Sequence, residues 1–202
     1  MKTFPLIIDG KKIVTARTFD VRNPATGEVY AKCAAAEDSH LDAAVDAARR
    51  AFAKWSNVSD SARKEQVMLL AGVLQKNAAE LMEILTCENG KPLKGYQGIG
   101  SGMELGGSVA WTQVTAGLDL STDLVQDDAN ARVEVRRRPV GVVGSIPPWN
   151  WPLMIAIWHV MPALRTGNPV VLKPSSLTPL TTARFVELAN EVLPPAPRSA
   201  RW

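Results

Sequence analysis

Two short segments in the last third of the chain carry the side chains best suited to chemistry. In Pro147-Pro148-Trp149-Asn150-Trp151-Pro152, one amide side chain stands between two tryptophans and three prolines. Proline fixes φ, so Asn150 reads as a rigidly held hydrogen-bond donor. In Lys173-Pro174-Ser175-Ser176, a lysine follows Val170-Val171-Leu172 and precedes two hydroxyls. An ammonium at a strand end with hydroxyls behind it suits a ribose or a phosphate. Each residue alone also has a plainer reading, Asn150 as a turn residue and Lys173 as a solvated strand end.

Other reactive types are sparse. Two cysteines, Cys33 and Cys87, and two histidines are too few for a disulfide framework or a zinc site, so no metal is expected. Both cysteines read as small buried apolar residues. Gly98, Gly100 and Gly102 resemble a phosphate loop only superficially, because no strand precedes them.

The elements that must position the two loops follow from periodicity. Val140 to Ile146 is a short, continuously apolar run, the mark of a strand buried on both faces. Pro152 opens a helix to about Arg165, which Gly167-Asn168 ends. Val170-Val171-Leu172 is a second buried strand. Thr178-Pro179 then supplies an N-cap and a first-turn proline for a helix to Val192. Strand, helix, strand, helix is a βαβα unit with parallel strands, so the class is α/β. Ligands of such sheets bind at the carboxyl ends of the strands, where both loops lie.

Upstream, Leu6 to Val14 reads as a hairpin about Asp9-Gly10, and Val29 to Ala35 as a strand after an Asn23–Gly27 turn. Leu41, Val45, Ala48, Phe52 and Trp55 make one helical stripe, with Glu37 and Asp38 near its start. A second helix fits 61–77, with Val67, Leu70 and Leu74 inward. A third runs from about Ala78 to Asn89 and stops at Gly90. Gly95 to Gly117 holds half of the fourteen glycines; Met103, Gly106, Ala110 and Val114 keep helical spacing there, which predicts a closely packed helix. From Leu118 to Arg138 charged and apolar residues alternate in a half-wet ribbon, either an edge or assembly element or a solvated hairpin.

Composition bounds the rest. The chain has 202 residues, 46% hydrophobic and 21% charged, which is the globular range and excludes a disordered chain or a collagen-like repeat. Lys and Arg number 23 against 20 Asp and Glu, too small a surplus for a nucleic-acid footprint. The most apolar region, Trp149 to Leu164, is broken by Asn150, Pro152, His159 and Pro162 and falls short of the roughly 18–20 apolar residues that span a bilayer. No signal peptide is apparent, and a cytoplasmic location is expected.

The strings PWNWP and, twenty residues later, GNPVVLKPSSLTPL closely resemble the aldehyde dehydrogenase superfamily. NPATGEV, LDAAVDAARRAF, AELMEILTCENGKP and RRRPVGVVGSI agree with it in order and spacing, so the resemblance reaches to about Pro195. It implies an incomplete Rossmann-like parallel sheet with flanking helices plus a partial oligomerisation β-hairpin. Residues 1–117 and 139–195 would be the N-terminal part of the cofactor-binding domain, 118–138 part of the hairpin, and 196–202 a tail unlike the family. It also implies oxidation of an aldehyde to a carboxylic acid with NAD or NADP. Asn150 matches the asparagine that holds the reaction's oxyanion, a preorganised donor worth on the order of 3 kcal/mol. Lys173 matches the lysine on the adenosine ribose, and Ile146, Pro147, Pro148 and Trp149 the stretch lining the cofactor cleft. Ser175 and Ser176 fall in the same site. Ser176 stands where NAD-preferring members often carry a glutamate, which leaves NADP tolerated.

The resemblance also marks what the chain does not match. The family's nucleophilic cysteine, its general-base glutamate and a second glycine-containing loop lie beyond residue 202, and neither Cys33 nor Cys87 matches the nucleophile. The expectation is a truncated chain, without the catalytic domain, that does not oxidise aldehydes by itself. A non-catalytic nucleotide-binding or interaction fragment is the alternative. A small-molecule aldehyde, a homo-oligomer or pairing with a full-length relative are the expected partners. An exposed apolar sheet edge and loss of strand neighbours are expected too.

Overall fold

Turn chemistry sets the first elements. The structure, a computed structural model, describes residues 1–193 and the backbone of residues 200–201. Strands β1 (Thr3–Phe4), β2 (Leu6–Ile8) and β3 (Lys11–Ile13) come first. Asp9 and Gly10 take left-handed backbone, φ 54° and 71°, as a two-residue hairpin turn of the mirror-image type requires. The turn pairs Leu6 with Ile13 and Ile8 with Lys11, the hairpin expected from Asp-Gly. β4 (Thr18–Arg22) and β5 (Val29–Ala34) are antiparallel, and β1 joins β5 in parallel. Along β4 Phe19 and Val21 alternate with Thr18, Asp20 and Arg22 and turn inward.

Three amphipathic helices follow where the stripes put them. They are α1 (Asp38–Trp55), α2 (Asp60–Lys76) and α3 (Ala78–Asn89). Trp55 is buried and its indole N–H donates to the Leu164 carbonyl at 3.0 Å. Val67, Leu70 and Leu74 are buried as their spacing demands. Gly90 ends α3 at φ 82°, and a Cβ there would lie 2.7 Å from the Pro24 side chain, so only glycine fits.

The glycine-rich segment forms α4 (Ser101–Gly117), but a different face turns inward. Met103, Gly106, Ala110 and Val114 face solvent, whereas Ser101, Glu104, Ser108 and Thr112 are buried. The Ser108 and Thr112 hydroxyls donate to the carbonyls four residues back, Glu104 at 2.8 Å and Ser108 at 2.7 Å, so small polar groups are satisfied within their own helix. Close approach occurs at Gly107, where a Cβ would meet the Met154 sulfur at 2.9 Å.

The ribbon is a separate two-stranded unit, β6 (Asp123–Asp127) and β7 (Arg132–Val135). Ion pairs such as Arg137–Asp123 and Arg132–Asp127, both 2.8 Å, lace its surface. Leu124, Val125, Val133 and Val135 are exposed.

The larger sheet is completed by β8 (Val143–Ser145), α5 (Pro152–Arg165), β9 (Val170–Leu172), α6 (Leu180–Val192) and β10 (Ala200–Arg201), in the strand order β3-β2-β10-β9-β8. β8, β9 and β10 are parallel neighbours, and β10 is antiparallel to β2. Alternation along β9 sends Val171 toward Ala44, Ala47 and Ala48 of α1 and sends Val170 and Leu172 into the main core with Ile157, Met161 and Phe185. The sheet is therefore covered on both faces.

Three expectations are corrected. The strand within Val140–Ile146 is an edge and shorter than the apolar run, with Val140 86% and Ile146 71% exposed. An apolar run reads alike at a sheet's centre and at its edge. β9 does have neighbours on both sides, because the backbone of Ala200–Arg201 pairs with it; ladder bonds need no strand-like side-chain pattern. The rest of the 196–202 tail lies outside the described residues. Finally, α6 begins at Leu180 with Pro179 at its cap, and Thr178 does not cap it. The cap comes from α3: the buried Glu88 carboxylate accepts the amides of Leu180 at 2.6 Å and Thr181 at 2.9 Å. Among the described residues, no helix is long and apolar enough to cross a membrane.

Candidate functional site

The parallel register of β8 and β9 pairs Ser145 with Leu172, so the segments that follow, from Ile146 and from Lys173, leave the same carboxyl end of the sheet. The Lys173 amide then donates to the Ser145 carbonyl at 2.8 Å, extending the ladder by one bond. Further out, the Thr178 hydroxyl donates to the Trp149 carbonyl at 3.4 Å and ties one loop to the other.

Three clefts surround these loops. One of about 600 Å³ is lined by Val142, Gly144, Ile146, Val171 and Lys173 on the sheet side and by Arg49 and Phe52 of α1 opposite. Its floor is open: a Cβ built on Gly144 would meet no atom within 4 Å. A second, of about 230 Å³, holds Lys173, Ser175 and Ser176 against Ala34 and Pro179. A third, of about 350 Å³, joins Trp149 and Ser176. Ile146 and Lys173 are thus brought together, as are Lys173, Ser175 and Ser176. Pro147, Pro148 and Asn150 line none of the three; Pro147 is buried, and Pro148 and Asn150 are exposed at the approach to α5.

The Trp149–Trp151 loop is pinned from behind. The Asn89 amide donates to the Trp149 carbonyl at 2.8 Å, and the Lys91 ammonium donates to the Asn150 carbonyl at 2.8 Å. The same ammonium pairs with the fully buried Glu104 and lies 3.9 Å above the Trp151 ring. Glu104 also accepts the amides of Leu153 at 2.9 Å and Met154 at 3.1 Å, capping α5 where the dipole favours an anion. Periodicity alone passes over these residues. Glu88, Asn89 and Lys91 all fall in the ENGKP string, legible only as a helix stop; nothing local singles out Glu104.

Neither cysteine lines any of the three clefts. Cys33 on β5 is fully buried with Phe4 and Val21, and Cys87 on α3 is half-buried. Burial, with Cys87 next, pushes the neighbouring Tyr30 phenol up to about 12. Among the described residues no group of three or more His, Cys, Asp or Glu is placed to hold a metal ion.

A sequence model of the aldehyde dehydrogenase family matches residues 13–197. The chain belongs to that family. The phenylacetaldehyde dehydrogenase of Pseudomonas fluorescens is 39% identical over 191 residues, covering 89% of this chain and 37% of that protein. A mitochondrial aldehyde dehydrogenase of Leishmania tarentolae is 37% identical over 190 residues, covering 92% and 37%. Among solved structures, the P. syringae indole-3-acetaldehyde dehydrogenase in complex with NAD+ and IAA superposes with a TM-score of 0.90 at 35% identity, covering 98% of this chain and 41% of that one. The chain therefore spans less than half the length of these aldehyde dehydrogenases, and the mixed α/β architecture with its parallel sheet and flanking helices is theirs.

Proposed function

We propose that this chain forms the cofactor-binding side of an NAD(P)-dependent aldehyde dehydrogenase, an oxidoreductase that converts an aldehyde to its carboxylic acid. Asn150 is the oxyanion donor, and Ile146, Pro147, Pro148, Trp149, Lys173, Ser175 and Ser176 serve the cofactor. Residues 1–117 and 139–195 make up the cofactor-binding part and 118–138 the assembly hairpin. The observation that carries the reading is the bond from the Lys173 amide to the Ser145 carbonyl, which sets the two loops side by side at the carboxyl end of the sheet.

The residues present fit such a group. The 600 Å³ cleft has apolar walls in Val142, Ile146 and Val171 for a planar base, and the Lys173 side chain at its rim for ribose or phosphate oxygens. When bound, the nicotinamide supplies the acceptor for hydride. Lys173 donates hydrogen bonds to a ribose, Ser176 accommodates either NAD or NADP because it brings no carboxylate, and the Asn150 amide offers its N–H to oxygen as negative charge develops there.

The nucleophile is another matter. Cys33 is fully buried on β5 and Cys87 is half-buried on α3, neither lines a cleft beside the two loops, and the chain alone is expected to bind nucleotide without turning over aldehyde. This favours the second reading, a nucleotide-binding or interaction fragment, for the isolated chain. The ribbon with Leu124, Val125, Val133 and Val135 exposed is the surface for a second copy or a full-length relative. A cytoplasmic compartment belongs to the same reading, in keeping with Cys33 and Cys87 lying on different elements and not joined as a disulfide.

Calorimetric titration of the purified chain with NAD+ and NADP+ tests this. Binding of both, weakened about tenfold by Lys173→Ala, is expected. Failure to bind either nucleotide sinks the cofactor role. Production of reduced nicotinamide from a panel of aldehydes would overturn the expected inactivity.

A further inference from the structure

We propose that Lys91 is a positioning residue for Asn150, acting with its buried ion-pair partner Glu104 to hold the loop from the Asn150 carbonyl to the first turn of α5; this rests on the proposed role of Asn150. Lys91 is 11% exposed at its side chain and Glu104 is fully buried. A buried lysine–glutamate pair gains little for stability over apolar packing, so its worth lies in what else the two charges hold. Lys91 donates to the Asn150 carbonyl at 2.8 Å and stacks 3.9 Å above the Trp151 ring. Glu104 accepts the amides of Leu153 and Met154 at 2.9 and 3.1 Å. The carbonyl before Trp151 and the amides just after Pro152 are therefore fixed by one pair of side chains.

Lys91 fixes the peptide plane that follows Asn150 and Asn89 the one that precedes it, and together they set the direction of the Asn150 Cα–Cβ bond, which a preorganised donor needs. Among the described residues the Asn150 side-chain amide has no hydrogen-bond partner of its own, so the backbone bonds alone set the direction in which it leaves the chain. Asn89 on the Trp149 carbonyl holds the preceding peptide in the same way, but without charge or ring contact. Lys91 reaches the loop across 59 positions of sequence.

The test is a spectroscopic one on the whole chain. The side-chain amide resonances of Asn150 are assigned by their loss in Asn150→Ala, and backbone amide exchange is followed in parallel. Lys91→Met is expected to shift and broaden the Asn150 side-chain signals and to speed exchange of the Leu153 and Met154 amides about tenfold, leaving Leu70 and Leu74 in α2 protected. Lys91→Arg, which keeps the charge and the donors, is expected to restore the Asn150 signals. If Lys91→Met does not fold, Glu104→Gln carries the test, since its amide oxygen keeps an acceptor for the helix while the counter-charge is gone. Unchanged Asn150 signals in the variant that folds, or loss of protection in α2 equal to that in α5, overturns the proposal. The parent reading fails separately, as a wild-type chain that binds no nucleotide while the Asn150 signals still depend on Lys91.

Discussion

Glu88, at the end of α3, accepts the backbone amide of Leu180, 92 positions away, at 2.6 Å, and so begins α6 with a carboxylate from another helix. Its second oxygen takes the Thr181 amide at 2.9 Å, and all three residues are buried. Glu88→Ala removes both acceptors and leaves two amide donors dry, a loss of about 3 kcal/mol. Glu88→Gln keeps one acceptor oxygen and is expected to cost less than half of that. Urea unfolding of the two variants checks the order; equal losses would mean that one retained acceptor oxygen does not help and that the cap needs the whole carboxylate.

A second prediction concerns pH. Arg165, 2% exposed at its side chain, pairs with Asp60 and also donates to the carbonyls of Ala116 at 3.3 Å and Leu118 at 2.9 Å, where α4 hands over to the ribbon. The hydrogen bond from Arg165 holds the Asp60 carboxyl below its ordinary value. A depressed carboxylate stabilises the fold in full above the ordinary value near ~4 and loses that contribution as pH falls through the lower, folded-state value. Asp60→Asn is thus expected to destabilise at neutral pH by about 1–2 kcal/mol, because Asp60 is half-exposed and Arg165 keeps two carbonyl acceptors, and the gap to wild type closes in acid. Unfolding free energies measured at both ends of that range check it; a gap that stays constant with pH would count against the ion pair.

These two contacts show where sequence stops being legible. The α1 stripe and the Asp9-Gly10 hairpin are readable because cause and effect lie within one or two turns of chain. The α6 start misleads: Thr178-Pro179 has the form of a local cap, yet the acceptor arrives from Glu88, and no window around residue 180 contains it. The inward face of α4 hides for a related reason, since Glu104, Ser108 and Thr112 look solvent-bound until Lys91 and the first turn of α5 are brought to them. At the loops themselves, Asn150 and Lys173 are visible as residue types at strand ends. The groups that brace the Asn150 loop, Asn89, Lys91 and Glu104, are separated from it by long stretches of sequence.

The open floor of the larger cleft gives a third prediction. Gly144 lies on β8, a Cβ at that position would have no atom within 4 Å, and its backbone is not left-handed, so a larger residue is tolerated by the strand. Gly144→Leu is expected to raise stability slightly, by about 0.5 kcal/mol, as strand interiors disfavour glycine. The leucine would stand between Ile146, Lys173 and α1, where the nucleotide is proposed to lie, and lower its affinity at least about tenfold. Thermal unfolding and NAD+ titration on one sample separate the two effects; undiminished nucleotide binding would move the cofactor away from this cleft.

The fourth prediction turns on a single charge. Ser176 is exposed beside Ser175 in the smaller cleft, which shares Lys173, the proposed ribose ligand, with the larger one. A glutamate introduced there can accept hydrogen bonds from both ribose hydroxyls, which NAD+ presents and NADP+ does not, since one of them is esterified to phosphate. Two like charges about 4 Å apart repel by about 1 kcal/mol in bulk water and about 4 kcal/mol near a protein surface, so the penalty for the phosphate is of order tenfold or more in affinity. Ser176→Glu is therefore expected to weaken NADP+ while leaving NAD+ equal or tighter, with a preference that shrinks as salt is added because the site is open to water. Competition between the two nucleotides at low and high salt reads this directly. Equal weakening of both would show that the added carboxylate merely blocks the cleft, and no change in either would place the ribose elsewhere.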